Sequence, residues 1–205
     1  MKENQMNNNA NWDIANRGGM NELTISNAKI IYRNFSGKPS DYNREGARNF
    51  SVVIPDADTA IALFNAGWNV AVKPESQEDK LAIKGCQNFM ERLAVLTERG
   101  VERDPSTLYH LKCTVNLNSR KPADVYLVAG LRRKPIKLDE NTIGQLDYAN
   151  IANCDLQIHP YHWSNSRGEG IAAYLSVMYV TIVQDPFAEK YGLNDDDEDM
   201  AYNRY

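Results

Sequence analysis

From Tyr109 to Asn116, apolar and polar side chains alternate one for one. Tyr109, Leu111, Cys113 and Val115 share one parity, and His110, Lys112, Thr114 and Asn116 the other. A period of two is the mark of a half-buried β-strand. Less regular runs with the same β-branched and aromatic bias occur at Leu23–Arg33, Arg48–Ile54, Trp68–Lys73, Asp124–Ala129 and Cys154–His159. Ile171–Val183 is the longest of them. Turn chemistry separates these runs: Gly37, Pro39, Asp41, Asn43 and Gly46 mark a loop over Asn34–Gly46, and Pro55 ends the strand before it. Pro160 and a Gly168/Gly170 turn divide the last two strands, and Asp185-Pro186 stops the final one.

A helical period appears in two places. Asp56 is a fitting N-cap for a short helix to about Asn65, closed by Gly67. Ala82, Cys86, Phe89, Leu93 and Leu96 recur at spacings of three or four, which predicts one amphipathic helix ending at Arg99-Gly100 with its apolar stripe on the core. Asp139–Tyr148 and Phe187–Tyr191 read as short helices. Six or seven strands at irregular spacing with helical interruptions lack the strand–helix alternation of a doubly wound sheet. The fold class expected is mainly β with inserted helices (α+β), as a small, partly open barrel.

The organisation follows. Residues 1–22 are Asn-rich and read as a flexible leader, residues 23–192 as one domain with a helical insertion at about 74–106, and residues 193–205 as an acidic tail. Apolar content of 42% and charged content of 24% are those of a soluble globular chain. No apolar run approaches the ~18 residues of a membrane span. Cys86, Cys113 and Cys154 form no CxxC pair and predict reduced thiols in a cytosolic protein.

Charge changes this picture. The tail contains Asp195, Asp196, Asp197, Glu198 and Asp199 with Arg204, and so carries the whole net charge of −4. Removing those five acids from 27 and that one base from 23 leaves 22 of each in residues 1–194. A polyanion partner is therefore compatible with the domain despite the acidic pI. Terminal runs of like charge often serve as interaction tails.

Candidate chemistry is sparse on the enzymatic side. GxxxxGK[ST], GxGxxG, GxSxG and HExxH are all missing, and no paired carboxylates stand out. His159-Pro-Tyr-His162 near Cys154 is a weak metal constellation, because a three-residue spacing interrupted by Pro160 does not aim both imidazoles one way. No enzyme, cofactor or metal is expected. Arginines and aromatics, by contrast, interleave at Tyr32-Arg33-Asn34-Phe35, Tyr42-Asn-Arg44 and Arg48-Asn-Phe50. Arg132-Arg133-Lys134 forms a second basic cluster, and Tyr161, His162, Trp163 and Arg167 a third polar–aromatic one. Single-stranded nucleic acid calls for this mixture: cations track phosphates while aromatic faces stack on unpaired bases, at about 1–3 kcal/mol per base. The structural alternative is that the aromatics are core and the arginines a solvated rim. The expected phosphate contacts are Arg33, Arg44, Arg48, Arg132, Arg133 and Lys134, and the expected stacking residues Phe35, Tyr42 and Trp163. Phe50 and Trp68 are assigned to the core.

The segments Asn27–Gly37, Tyr42–Ile54, Ala66–Val70, Leu146–Ile151, Asp155–Trp163 and Ala173–Ile182, in this order, resemble the bacteriophage single-stranded DNA-binding proteins of OB-fold type. The resemblance implies an OB-fold, a partly open five-stranded barrel with an extra hairpin and the helical insertion. It also implies a protein that coats single-stranded DNA during phage replication or recombination, in the cytoplasm of an infected bacterium and without a cofactor. The tail, Asp195–Asp199 with Tyr205, would then recruit phage or host replication proteins or compete for the DNA groove. No membrane partner is expected, and a homodimer is one option left open. The helix around Ala82–Arg99 and Arg204 beside the terminal Tyr205 depart from that pattern. Two competing readings are a phage protein–protein module, either host-takeover or virion factor, that binds no nucleic acid, and a metal-dependent nuclease.

Overall fold

The computed structural model describes residues 11–17, 20–128, 134–166 and 168–183. Among these residues ten strands form one sheet: β1 (Asn11–Arg17), β2 (Met20–Ser26), β3 (Ile30–Asn34), β4 (Arg48–Ile54), β5 (Val70–Lys73), β6 (Leu108–Val115), β7 (Asp124–Val128), β8 (Ile136–Leu138), β9 (Ile151–Asn165) and β10 (Gly168–Ile182). Three helices interrupt them: α1 (Ala57–Asn65), α2 (Gln77–Ala82) and α3 (Phe89–Glu98). A 3-10 helix covers Ile143–Asp147.

The main path through the sheet is β1-β2-β9-β10-β6-β4-β3, with β5 beside β6 and β7 carrying β8 beside β10. β6 and β7 lie end to end along one edge of β10, both parallel to it, with Thr114 opposite Tyr174 and Tyr126 opposite Tyr179. Among the described residues the sheet is not closed, since β1 and β3 are its ends. The long antiparallel β9–β10 hairpin joins the two halves.

Alternation decides which side chains meet. Tyr109, Leu111, Cys113 and Val115 of β6 are buried, as are Phe50, Val52 and Ile54 of β4 and Ala173, Leu175, Met178 and Val180 of β10. Each large apolar side chain so buried contributes about 1.5–3 kcal/mol. An extra residue at Ser176, between Leu175 and Val177 in the register, lets the inward parity of β10 change from 173/175 to 178/180. Burial pushes the Cys154 thiol up to about 12 and raises that of Cys113 as well, so neither is reactive at neutral pH.

Several expectations need correction. Residues 11–17 and 20–22, assigned to a flexible leader, form β1 and the start of β2. The run Leu23–Arg33 is two strands. Asn27 takes a left-handed φ of 55°, its N–H donates to Asp155 Oδ1 at 2.9 Å, and the chain breaks there. The single long helix is two, α2 and α3. Asn88 Oδ1 accepts from the Glu91 N–H at 2.9 Å while Glu91 Oε2 accepts from the Gln87 N–H at 2.7 Å, a reciprocal cap that starts α3 anew. Ala82 is consequently exposed, while Phe89, Leu93 and Leu96 keep the buried stripe. Pro160 lies inside β9, opposite Ala173, and does not end a strand. β2 accompanies β9 only as far as Ile158, and proline is tolerated where a strand edge is open. The expected N-cap at Asp56 is present, its Oδ1 accepting from the Thr59 N–H at 2.7 Å. The helix expected at Phe187–Tyr191 and the acidic tail lie outside the described residues.

Phe35, expected at a DNA surface, is 0% exposed and stacks on Phe50 with ring centroids 5.3 Å apart. It is a core residue. Phe50→Ala is expected to cost about 3–5 kcal/mol by cavity formation, and Tyr42→Ala to stay within about 0.5 kcal/mol because its ring is exposed. Urea unfolding of both variants checks the contrast.

Candidate nucleic-acid interface

The parity that buries one face of β6 and β4 presents the other. His110 stands opposite Val53, Lys112 opposite Ser51 and Thr114 opposite Asn49, so all six share the face away from the core, although Asn49 and Ser51 on it are themselves buried. β5 adds Ala71 opposite His110 and Lys73 beside it. This face is polar and cationic, without a carboxylate from these three strands.

The chain between β3 and β4 folds back over it. Asn34 is buried and its side-chain amide ties both sides of the loop: Nδ2 donates to the Lys38 and Ala47 carbonyls, each at 3.0 Å, and Oδ1 accepts from the Lys38 N–H at 3.0 Å. The Gly46 N–H donates to the Gly37 carbonyl at 2.8 Å, and a Cβ on Gly37 would come within 3.1 Å of the Gly46 Cα. Both glycines have left-handed φ, 71° and 75°, so the neck demands glycine twice. Asp147 anchors the loop's start by accepting from the Phe35 and Ser36 N–H groups. Held in this way, the tip lays Asn43 on the sheet: its Oδ1 accepts from Asn49 Nδ2 at 2.7 Å and lies 3.5 Å from Lys112 Nζ. Tyr42 projects at 89% exposure, and Arg44 is exposed beside it. Between tip and sheet runs a groove of about 650 Å³ lined by Tyr42, Arg44, Arg48, Lys112 and Thr114 among others.

A bulge extends the surface. Ile31 pairs with Ser51 and Asn34 with Asn49, so β3 carries one residue more than β4 between these pairs. Tyr32 sits in that interval with a φ of 51°, a conformation that costs a bulky residue of order 1 kcal/mol or more. The result is a ring 51% exposed, with Lys73 Nζ 5.0 Å above its centroid and 2.9 Å from its hydroxyl. The His110 ring meets Tyr32 edge-on at 5.7 Å. On the other side of the loop, Tyr148 is 81% exposed with Lys38 Nζ 5.7 Å above its ring. Tyr32, Tyr42 and Tyr148 are thus three exposed rings, the first and last each with a lysine over its face and Tyr42 two residues from Arg44.

The expected site residues divide. Tyr42 and Arg44 meet at the groove. Arg48 lines it too, but its guanidinium lies 3.6 Å from Glu140 and its side chain is only 18% exposed, so its charge is partly satisfied. Arg33 donates to the Ala149 carbonyl at 2.8 Å and secures the segment bearing Tyr148, a structural duty that sequence did not suggest. Trp163 is half-buried on the β9–β10 hairpin, away from the loop. Its indole lies over Gly170, where a Cβ would come within 3.2 Å, and lines a second groove of about 860 Å³ beside Trp68 and Arg92. Lys134 is exposed in the coil before β8, on the β7 side of the sheet. Arg132, Arg133, Arg167 and the tail residues lie outside the described residues. Trp68 and Phe50 are core, at 1% and 0% exposure. His159 and His162 fall on opposite parities of β9 and Cys154 is buried, so this trio does not converge; among the described residues no three potential ligands gather for a metal. Sequence reading missed Lys73, Lys112 and Tyr148, and placed Tyr32 in an arginine–aromatic cluster without assigning it a contact. The parity of Lys112 on the alternating strand was a usable signal, whereas the bulge at Tyr32 left none.

Against known proteins, a profile of the family described as "putative phage ssDNA-binding domain" matches residues 14–201. The chain belongs to this family. Single-stranded DNA binding is thus its function, and the outward face carries the residue types for it. No curated protein matches the chain significantly. Among solved structures, a single-stranded DNA-binding protein from bacteriophage Enc34 in complex with ssDNA is 14% identical over 81% of this chain and 89% of that one, with a TM-score of 0.43. Another structure of the single-stranded DNA-binding protein from bacteriophage Enc34 gives 16% over 89% and 90%, at 0.41. The gp2.5 single-stranded DNA-binding protein of bacteriophage T7 gives 13% over 87% and 98%, at 0.31. All are distant likenesses, and the family assignment rests on the profile match.

Burial, and secondarily Lys73, holds the His110 imidazole below its ordinary pKa. The unfolded chain therefore takes up a proton near pH ~6.5 before the folded family member does. Stability present above that pH is lost as pH falls through the lower, folded value. Thermal melting from about pH 7 to about pH 5 is expected to decline less steeply in His110→Gln than in the wild type. His159, also lowered by burial, leaves a residual slope in both. Equal slopes would show that His110 is not the buried neutral group.

Proposed function

We propose that the chain coats single-stranded DNA without strong sequence preference, through the outward face of β3, β4, β5 and β6 and the loop folded over it. The observation that carries the reading is the exposure of three rings at the β3–β4 loop and the segments it contacts, Tyr32 under Lys73, Tyr148 under Lys38, and Tyr42 two residues from the exposed Arg44. Exposed rings gain about 1–3 kcal/mol per stacked base only where bases are unpaired, so this face favours a single strand over a duplex. Lys112 and Arg44 at the groove supply phosphate contacts, the arginine by its fork of donors. Base edges are not needed for this mode, which is why it tolerates sequence.

The finer expectations belong to the same reading. We take the sheet as an OB-type, partly open barrel, supported by β10 being shared among β9, β6 and β7. We read the coating as serving phage replication or recombination in the cytoplasm of the infected cell, a reading with which membership of a phage family is consistent. A binding role of this kind requires no catalytic group or cofactor. The acids Asp195–Asp199 and Tyr205 are read as a hook for replication proteins or a competitor for the groove, on composition alone.

In fluorescence polarization with labelled oligo-dT, Tyr42→Ala with Arg44→Ala is expected to weaken binding about tenfold or more while leaving the melting temperature unchanged. Log affinity should fall with log salt at about −0.7 per neutralised phosphate. Equal affinity of the wild type for duplex and single strand would overturn the proposal.

A further inference from the structure

The outward face does not stop at β6. Thr114, which lines the groove, stands directly opposite Tyr174 of β10, and Tyr174 stands opposite His159 of β9. Tyr161 follows two residues along β9, opposite Ala172. Directly paired residues point to the same side of a sheet, so the groove's face runs without a change of side onto the hairpin. There the rings form a continuous patch: Tyr161 and Tyr174 have centroids 5.3 Å apart, and His159 lies 5.8 Å from Tyr174. Because Ala172 is small, it leaves the Tyr161 ring 54% exposed.

The segment between β6 and β7 serves both regions. Asn116 and Asn118 line the groove, and Lys121 is exposed three residues further along the same segment. On the far side, Glu22 of β2 accepts from Gln157 at 3.2 Å and closes the patch with a carboxylate, which repels phosphate. The acidic side of the patch therefore faces away from the groove, and the segment bearing Lys121 borders the groove.

We propose that the outward face of the β9–β10 hairpin is a second stacking platform for the strand that occupies the groove, with Tyr161 and Tyr174 as its base-stacking residues and Lys121 as its phosphate contact. This rests on the groove face binding single-stranded DNA. The bound strand leaves the groove at Thr114 and continues across Tyr174 to Tyr161. A cross-strand aromatic pair also stabilises a hairpin by itself, so the test needs a readout that stability does not move. Oligonucleotide length provides one.

Binding of oligo-dT of about 5 and about 15 nucleotides is measured by polarization, lengths near the two ends of the range of single-stranded sites on one small domain. Tyr161→Ala with Tyr174→Ala is expected to weaken the longer oligonucleotide roughly tenfold and leave the shorter one unchanged. Tyr161→Phe with Tyr174→Phe, which keeps the stacking faces, should bind both like the wild type. Unchanged binding of the longer oligonucleotide by the alanine variant overturns the platform. Equal weakening of both lengths also overturns it, placing the tyrosines in the groove or the fold. If the wild type binds neither length, the single-stranded DNA reading itself fails, a result distinct from the other two.

Discussion

The buried amide of Asn34 is the constraint on which the binding face depends. Three hydrogen bonds from one side chain close the neck of a loop whose tip carries Tyr42, Asn43 and Arg44. Each is worth about 0.5–1.5 kcal/mol net, but losing the side chain would also leave two loop carbonyls short of donors at a cost of about 1–3 kcal/mol each. Without that closure, the Gly37–Gly46 pinch would hold the neck of the loop by a single backbone bond. The groove exists because the loop is pressed onto the sheet through Asn43, Asn49 and Lys112.

The sheet supplies the rest by parity. On β6 one residue in two builds the core and the next builds the surface, and the register hands that surface on to β4, β5 and β10. Two departures from regularity do the aiming. The bulge at Tyr32 turns a strand tyrosine outward over Lys73, and the extra residue at Ser176 reverses the inward parity of β10. Backbone strain at Tyr32 is a cost that packing alone does not explain, and its pairing with a cation on the outward face gives it a purpose.

Much of this was legible in the sequence, for physical reasons that differ by element. The alternation at Tyr109–Asn116, the Asp56 cap and the glycines of the loop are local signals, and local structure followed them. The break at Asn27 and the restart of a helix at Asn88 depend on one hydrogen bond to a distant residue and on a cap that competes with the apolar period. Phe35 and Tyr42 show the limit for the site: both are aromatic and both lie near arginines in sequence. Phe35 falls against Phe50 in the core, while Tyr42 rides at the tip of a loop whose position is set by Asn34 and Asp147. Arg33 and Arg48 likewise found protein partners, which composition cannot reveal. The family resemblance read from the ordered segments agrees with the profile match over residues 14–201.

The most direct measurement is ultraviolet cross-linking of the full chain to oligo-dT, with the attached residues located by peptide mass spectrometry. Adducts at Tyr32, Tyr42 and Tyr148 are predicted, around the loop and the outward face of β3. Adducts confined to Tyr126 and Tyr179, which stack together over the β7–β10 pair, would contradict the account and move the DNA to the other end of the sheet.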